Sequence, residues 1–314
     1  MTLLRLKEKP TETPLAPAVV EVRLPPALAR WGGVTRASLE GPEGAPAIAL
    51  LGGISGNCFP CAWWPGLAGP GGAADPRRYR LLGMDFIADP SGEAAPSPAD
   101  QAEALCAALD AFGIDRAHAV IGASYGGMIA LALGQHFPDR AKRLVAISAD
   151  AAPHPASTAI RELQRRIVSL GLANGNAEEA LSIARGLAML SYRTREEFAE
   201  RFEGGIEGEA ALGCSDPGAY LRSRGEAFVA RMTPQRFLSL SASIDRHRVD
   251  PSRIHLPTLL IGADSDQLVP PVQMEKLAAA LAGPSELHLL PSLFGHDMFL
   301  KDAARISALV EAFL

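Results

Sequence analysis

Four short runs of this chain are apolar at nearly every position: "AIALLGG" (47–53), "HAVIGAS" (118–124), "RLVAISA" (143–149) and "PTLLIGA" (257–263). A strand that lacks polar alternation has both faces buried, and that is the condition of strands inside a parallel sheet covered by helices. Further β-like runs stand at "AVVEVRL", "VTRASLE", "YRLLGMD" and "SELHLLP". Helical patterns lie between them. "PADQAEALCAALDAFGI" repeats apolar residues every three or four positions, and "PPVQMEKLAAALAG" reads as a helix stopped by Gly283. The alternation predicts an α/β fold, a doubly wound and mostly parallel sheet.

The alternation stops between about 151 and 250, where "STAIRELQRRIVSLGL", "NAEEALSIARGLAML", "TREEFAERF", "DPGAYLRSRGEAFVARM" and "TPQRFLSLSASIDRH" read as successive helices with no strand among them. This predicts a core made of 1–150 and 251–314, with 151–250 inserted as a helical lid over the strand ends, where such sheets bind their ligands. "ADPSGEAAPSPAD" (88–100) reads as a polar loop.

Composition narrows the partners. The 314 residues are 48% hydrophobic, enough for a substantial core, and the formal net charge is −5 with the basic residues scattered. Neither a nucleic-acid groove nor a membrane surface is expected as partner, and small-molecule substrates are. "MTLLRLKEKPTETPLAP" has no apolar core followed by a cleavage site, so a cytoplasmic protein with a loose leader is expected. Cys58, Cys61, Cys106 and Cys214 are too few and dispersed for a disulfide framework. Cys58 and Cys61 form a single C-x-x-C, without the second pair or histidines that zinc would need, so no metal is expected.

The chemistry centres on "VIGASYGGM" (120–128), a G-x-S-x-G placed between a strand and a helix. A serine at such an elbow stands on strained backbone, and the flanking Gly122 and Gly126 leave room where a Cβ would clash. Its oxygen projects at the sheet edge beside the helix N-terminus. Ser124 needs a base, and the base needs an acid, in the chain order Ser, Asp or Glu, His. Asp266 follows "TLLIGA" and opens a D-x-x-V-P turn, and His296 follows the last predicted strand. Asp264 competes for the acid role, with Asp266 favoured for its place just ahead of "LVPP". The remaining histidines sit in or beside predicted elements and read as surface or core residues. An oxyanion hole needs two N–H donors, assigned to Tyr125, after the nucleophile, and Ile54, in the glycine-rich "LLGGISGN".

At this point the sequence resembles the homoserine O-acyltransferases of the α/β-hydrolase fold. The likeness is carried by "GGISG", "WWPGLAGPG", "DQAEAL", "GASYGGM", "FPDRAKRLVAISA", "LQRRIV", "IARGLAMLSYRT", "AYLRSRGEAFVARM", "SIDRHRVDP", "DSDQLVPP" and "LFGHDMFLKD", over roughly 46–303. The resemblance implies ping-pong acyl transfer from a coenzyme A thioester, through Ser124, to an amino-acid hydroxyl in methionine synthesis. Acyl-CoA would be a substrate, and no tightly bound cofactor is implied. Ser124, Asp266 and His296 would be the triad, Arg185 would hold the acceptor's carboxylate and Asp297 its ammonium, with Arg165 and Tyr192 as secondary site residues. A homodimer through the lid is implied as well. The chain departs from the family's pattern in its short loop after Asp85, in the residues before "GISG", and in Tyr125 where many members carry Met or Leu. "GGISG" and "GASYGGM" are more similar to the branch that uses succinyl-CoA than to the acetyl-CoA users. Serine as acceptor, an esterase or thioesterase with water as acceptor, and a non-catalytic ligand binder are the competing readings.

Overall fold

The computed structural model describes residues 16–206 and 215–314. Most of the N-terminal leader and Cys214 lie outside the described residues. Eight strands form one sheet: β1 (Ala18–Arg23), β2 (Val34–Glu40), β3 (Ala47–Leu51), β4 (Arg80–Met84), β5 (Ala119–Ala123), β6 (Leu144–Ile147), β7 (Thr258–Ala263) and β8 (Ser285–Leu290), in the order β1-β2-β4-β3-β5-β6-β7-β8. β1 and β2 pair antiparallel, as do β2 and β4, and every pairing from β4 through β3 to β8 is parallel.

Burial follows position in the sheet. β3, β5, β6 and β7 bury every residue, whereas the edge strands β1 and β8 are mostly exposed or half-buried. The apolar runs are therefore the centre of the sheet, with a hydrophobic cluster on each face. Among the described residues the α-helices longer than four residues are α1 (Pro98–Ala111), α2 (Tyr125–His136), α3 (Pro155–Ala173), α4 (Ala177–Tyr192), α5 (Arg195–Arg201), α6 (Asp216–Val229), α7 (Pro234–Asp245), α8 (Pro271–Ala280) and α9 (Ala303–Phe313). α1 starts sharply: the Ser97 hydroxyl accepts from the Asp100 N–H, the Asp100 carboxylate accepts from the Ser97 N–H, and Pro98 takes the first helical position. The polar loop thus gives way at Ser97 to the helix that the pattern "PADQAEALCAALDAFGI" predicts from Pro98. α8 departs from expectation, ending at Ala280 rather than at Gly283. Gly283 is not a helix stop; a Cβ there would collide with the His255 carbonyl.

The chain leaves β3 for β4 on one side and returns for β5 on the other. That reversal opens a crevice at the C-terminal ends of β3 and β5, the place where doubly wound sheets bind ligands. Helices α3 to α7 run between β6 and β7 and stand over this crevice. They are tied down by specific bonds: the Asp89 N–H donates to Ser239 of α7, the Arg236 guanidinium to the Phe86 carbonyl, and Thr194 to the Leu293 carbonyl.

Candidate active site

Each strand end at the crevice contributes one part. Ser124 directly follows β5, and its φ of 54° and ψ of −117° lie in a region that residues with side chains rarely adopt. The strain persists because the surroundings over-determine it. A Cβ on Gly122 would run into the Gly126 carbonyl, and one on Gly126 into the Leu51 carbonyl, so α2 lies against the strand ends as only glycine permits. The Gly126 N–H donates to the Gly52 carbonyl (2.9 Å), which joins the elbow to the loop after β3.

Asp266 follows β7 and His296 follows β8. His296 Nε2 lies 2.8 Å from Ser124 Oγ, and Nδ1 lies 2.8 Å from Asp266 Oδ2. With its proton on Nδ1 the ring donates to Asp266 and accepts from the serine. The other Asp266 oxygen accepts from the N–H groups of Leu268 (2.9 Å) and Val269 (3.1 Å), so the D-x-x-V-P turn holds the carboxylate rigid. Asp264 is exposed and accepts from the Ser292 N–H, leaving Asp266 as the partner of His296. Burial opposes charge on His296, but the charge and hydrogen bond of Asp266, helped by the charge of Asp297, raise its pKa above the ordinary value.

Two cavities meet at Ser124 and His296. The larger, of about 470 Å³, is lined by Ile54, Trp63, Arg185, Tyr192 and Asp297 among others. Tyr125 and Ile54 have backbone N–H groups that donate to no other protein group among the described residues, as donors awaiting an oxyanion would. Arg185 stands over the rings of Phe228 (4.9 Å) and Tyr192 (5.3 Å) and forms no ion pair among the described residues. Tyr192 in turn packs against the His296 ring, with centroids 5.7 Å apart. The smaller cavity, of about 40 Å³, lies behind the serine and is lined by Ser148, Asp150, Arg161 and Gln273 among others. Ser148 Oγ and Gln273 Oε1 are buried there without a hydrogen-bond partner among the described residues, and burial pushes the Asp150 carboxyl up to about 6. No group of three or more His, Cys, Asp or Glu among the described residues is placed to hold a metal.

Residues 46–303 match the α/β hydrolase fold family. The chain is 42% identical over 287 residues to the homoserine O-succinyltransferase of Xanthomonas campestris pv. campestris, covering 88% of this chain and 77% of that one. The chain belongs to the homoserine O-acyltransferase family. It is also 31% identical over 283 residues to the homoserine O-acetyltransferase of Thermus thermophilus, covering 80% of this chain and 72% of that one. A homoserine O-acetyltransferase structure from Bacillus anthracis superposes with a TM-score of 0.83 over 95% of this chain and 97% of that one at 16% identity, which bears on the fold alone.

Family-like residues divide according to where the fold puts them. The "WWPGLAGPG" segment supplies Trp63 to the cavity wall, and the Trp64 indole N–H donates to the Phe299 carbonyl (2.9 Å), bracing the loop that carries His296. Arg165 is not brought to either cavity. Its Nη1 is tied to Asp245 Oδ2 (2.6 Å) and to Ser241, because α3 turns it toward α7. One turn earlier on α3, Arg161 does reach the smaller cavity. Its Nε and Nη2 donate to Asp245 Oδ1 (2.9 and 2.6 Å), and Nη1 makes no hydrogen bond to the protein among the described residues. Sequence reasoning missed Arg161, Ser148 and Gln273; the four-residue spacing of Arg161 and Arg165 was the available signal, since it puts both on one helix face. Tyr125, the departure from the family pattern, buries its ring against Phe86, and its hydroxyl bonds Ser243 of the lid (2.5 Å).

Proposed function

We propose that this protein transfers an acyl group from succinyl-CoA to the hydroxyl of L-homoserine through an acyl-enzyme on Ser124. One observation carries the reading: Arg185, which has no ion-pair partner among the described residues, and the carboxylate of Asp297 face the same cavity as Ser124 and His296. Hydrolysis needs no such pair. A zwitterionic acceptor does, with its carboxylate on the planar guanidinium and its ammonium on the aspartate.

In the first half-reaction Ser124 Oγ attacks the thioester carbonyl while its proton passes to His296 Nε2. The oxyanion is stabilised by the N–H groups of Tyr125 and Ile54, and collapse breaks the C–S bond, with His296 returning the proton to the leaving thiolate. In the second, the acceptor hydroxyl gives its proton to His296, attacks the acyl carbon, and collapse restores the serine. The lid keeps water away from an intermediate that must wait for its acceptor. Coenzyme A enters as the acyl carrier, and the O-acylhomoserine produced would serve methionine synthesis in the cytoplasm.

The smaller cavity supports succinyl over acetyl as the donor. An acetyl group needs no charged partner, whereas a second carboxylate finds in one cavity Arg161 and the Ser148 hydroxyl, which has no hydrogen-bond partner among the described residues. A homodimer through the lid is supported by its large exposed apolar side chains: Leu163, Leu170, Ile183 and Leu190 of α3 and α4 are 48–65% exposed.

The test is coenzyme A release from succinyl-CoA and from acetyl-CoA, each with L-homoserine, L-serine or no acceptor, with product masses recorded and Ser124→Ala as control. Release that depends on L-homoserine and yields O-succinylhomoserine is expected, and is abolished in the variant. Release indifferent to any amino acid would overturn the reading and leave water as the acceptor.

A further inference from the structure

Asp297 does not stand alone in the cavity wall. Its Oδ2 accepts from Arg193 Nε (3.2 Å), and Arg193 Nη1 donates to Glu197 Oε1, which also accepts from Arg201 (3.1 Å). The side chains of Arg193, Glu197 and Asp297 are 7%, 5% and 12% exposed, so this is a buried chain of charges. It crosses from the lid to the core. Arg193 follows the last residue of α4 and Glu197 sits in the first turn of α5, while Asp297 belongs to the loop of His296. The same loop is clasped on both sides of Arg193: Thr194 donates to the Leu293 carbonyl, and Gly295 (φ 54°) has a Cβ direction only 2.7 Å from the Tyr192 carbonyl. Asp297 Oδ1 makes no hydrogen bond among the described residues, and Asp297 lines the larger cavity.

We infer that Arg193 is a positioning residue for acceptor recognition: anchored by Glu197, it holds one oxygen of Asp297 so that the other is presented to the ammonium of the incoming amino acid. This rests on the reading of Asp297 as the ammonium partner. Arg201, Glu197, Arg193 and Asp297 alternate in sign along the chain, so Arg193 is fixed between two carboxylates and Glu197 is in turn anchored by Arg201. A carboxylate already held by Arg193 loses less orientational freedom on binding that ammonium than an aspartate free to turn. The arrangement also makes the amine site a joint product of lid and core, complete only when the lid segment 192–194 is seated on the loop of His296.

The inference is tested with Arg193→Gln, Arg193→Lys and the double variant Arg193→Gln/Glu197→Gln, the last chosen so that loss of Arg193 does not also leave the buried carboxylate of Glu197 beside a neutral residue. Acyl-enzyme formation is followed as the burst of coenzyme A from succinyl-CoA, and acceptor use through KM for L-homoserine and for 4-hydroxybutyrate, which lacks the amine. The expected result is a KM for L-homoserine raised about tenfold or more in Arg193→Gln and in the double variant. The burst rate changes by less than about twofold, use of 4-hydroxybutyrate is unaltered, and Arg193→Lys recovers part of the loss. In an Asp297→Asn background the same substitution adds little. Equal losses with both acceptors, or an undiminished cost in that background, would reduce Arg193 to a structural role. A fall in KM for L-homoserine would mean that Arg193 competes with the substrate, and would overturn the inference outright. A wild-type enzyme that ignores L-homoserine would instead break the functional reading beneath it.

Discussion

The elbow at Ser124 and the lid wall opposite it do related work with different materials. At the elbow nearly everything is main chain: a strained φ, two glycines against carbonyl groups, two N–H donors without a partner among the described residues, and a carboxylate gripped by two backbone amides. The lid wall is made of long charged side chains, Arg161, Arg185 and Arg193, each oriented by a ring or a carboxylate. Backbone geometry suits bond making, where an error of a fraction of an ångström matters, and side-chain charge suits recognition, which changes with the substrate. Reaction chemistry is therefore expected to depend on the core, and the choice of donor and acceptor on the lid.

The largest test of that division is Asp266→Asn. It removes the group that orients His296 and should lower kcat/KM about 10³- to 10⁴-fold with every donor and acceptor alike, while Asp264→Asn changes it by less than about twofold. A loss confined to one donor would break the comparison. The pH profile adds a sign. His296 acts as a base only when neutral and its pKa is raised above 6.5, so kcat/KM should fall as pH drops through a value higher than that. In Asp266→Asn the charge and hydrogen bond that raise it are gone, and the limb should move to lower pH.

Arg161→Leu comes next. With the guanidinium gone, kcat/KM for succinyl-CoA should fall about 100-fold while that for acetyl-CoA holds, measured by coenzyme A release. Equal losses would place Arg161 with the reaction chemistry instead of recognition. The smallest effect is expected at the bond joining the two regions. Ser243→Ala leaves the buried Tyr125 hydroxyl without its lid partner and should cost about 1–3 kcal/mol in chemical denaturation, as a single transition. Two separate transitions would show that lid and core unfold independently, sharpening the comparison into a physical boundary.

How much of this could be read beforehand follows the same line. The apolar runs, the glycine spacing around Ser124, and the order Ser, Asp, His are local or ordinal properties, and they survive folding unchanged because burial of both strand faces and the sterics of a tight turn leave little choice. By itself the sequence determined the doubly wound sheet, the elbow and the Ser124, Asp266 and His296 that the fold brings within hydrogen-bond reach of one another. Helix ends were less legible: Gly283 looks like a stop, yet tertiary contact with His255 is what requires it. Only the tertiary structure decided which of Arg161 and Arg165 enters the cavity, since they share a helix face and differ by a rotation that Asp245 settles from another helix. Only it brought Arg193 to Asp297, 104 residues away in the chain. The physical reason is that a long charged side chain takes its direction from partners distant in sequence, whereas a backbone turn carries its instructions in its own few residues.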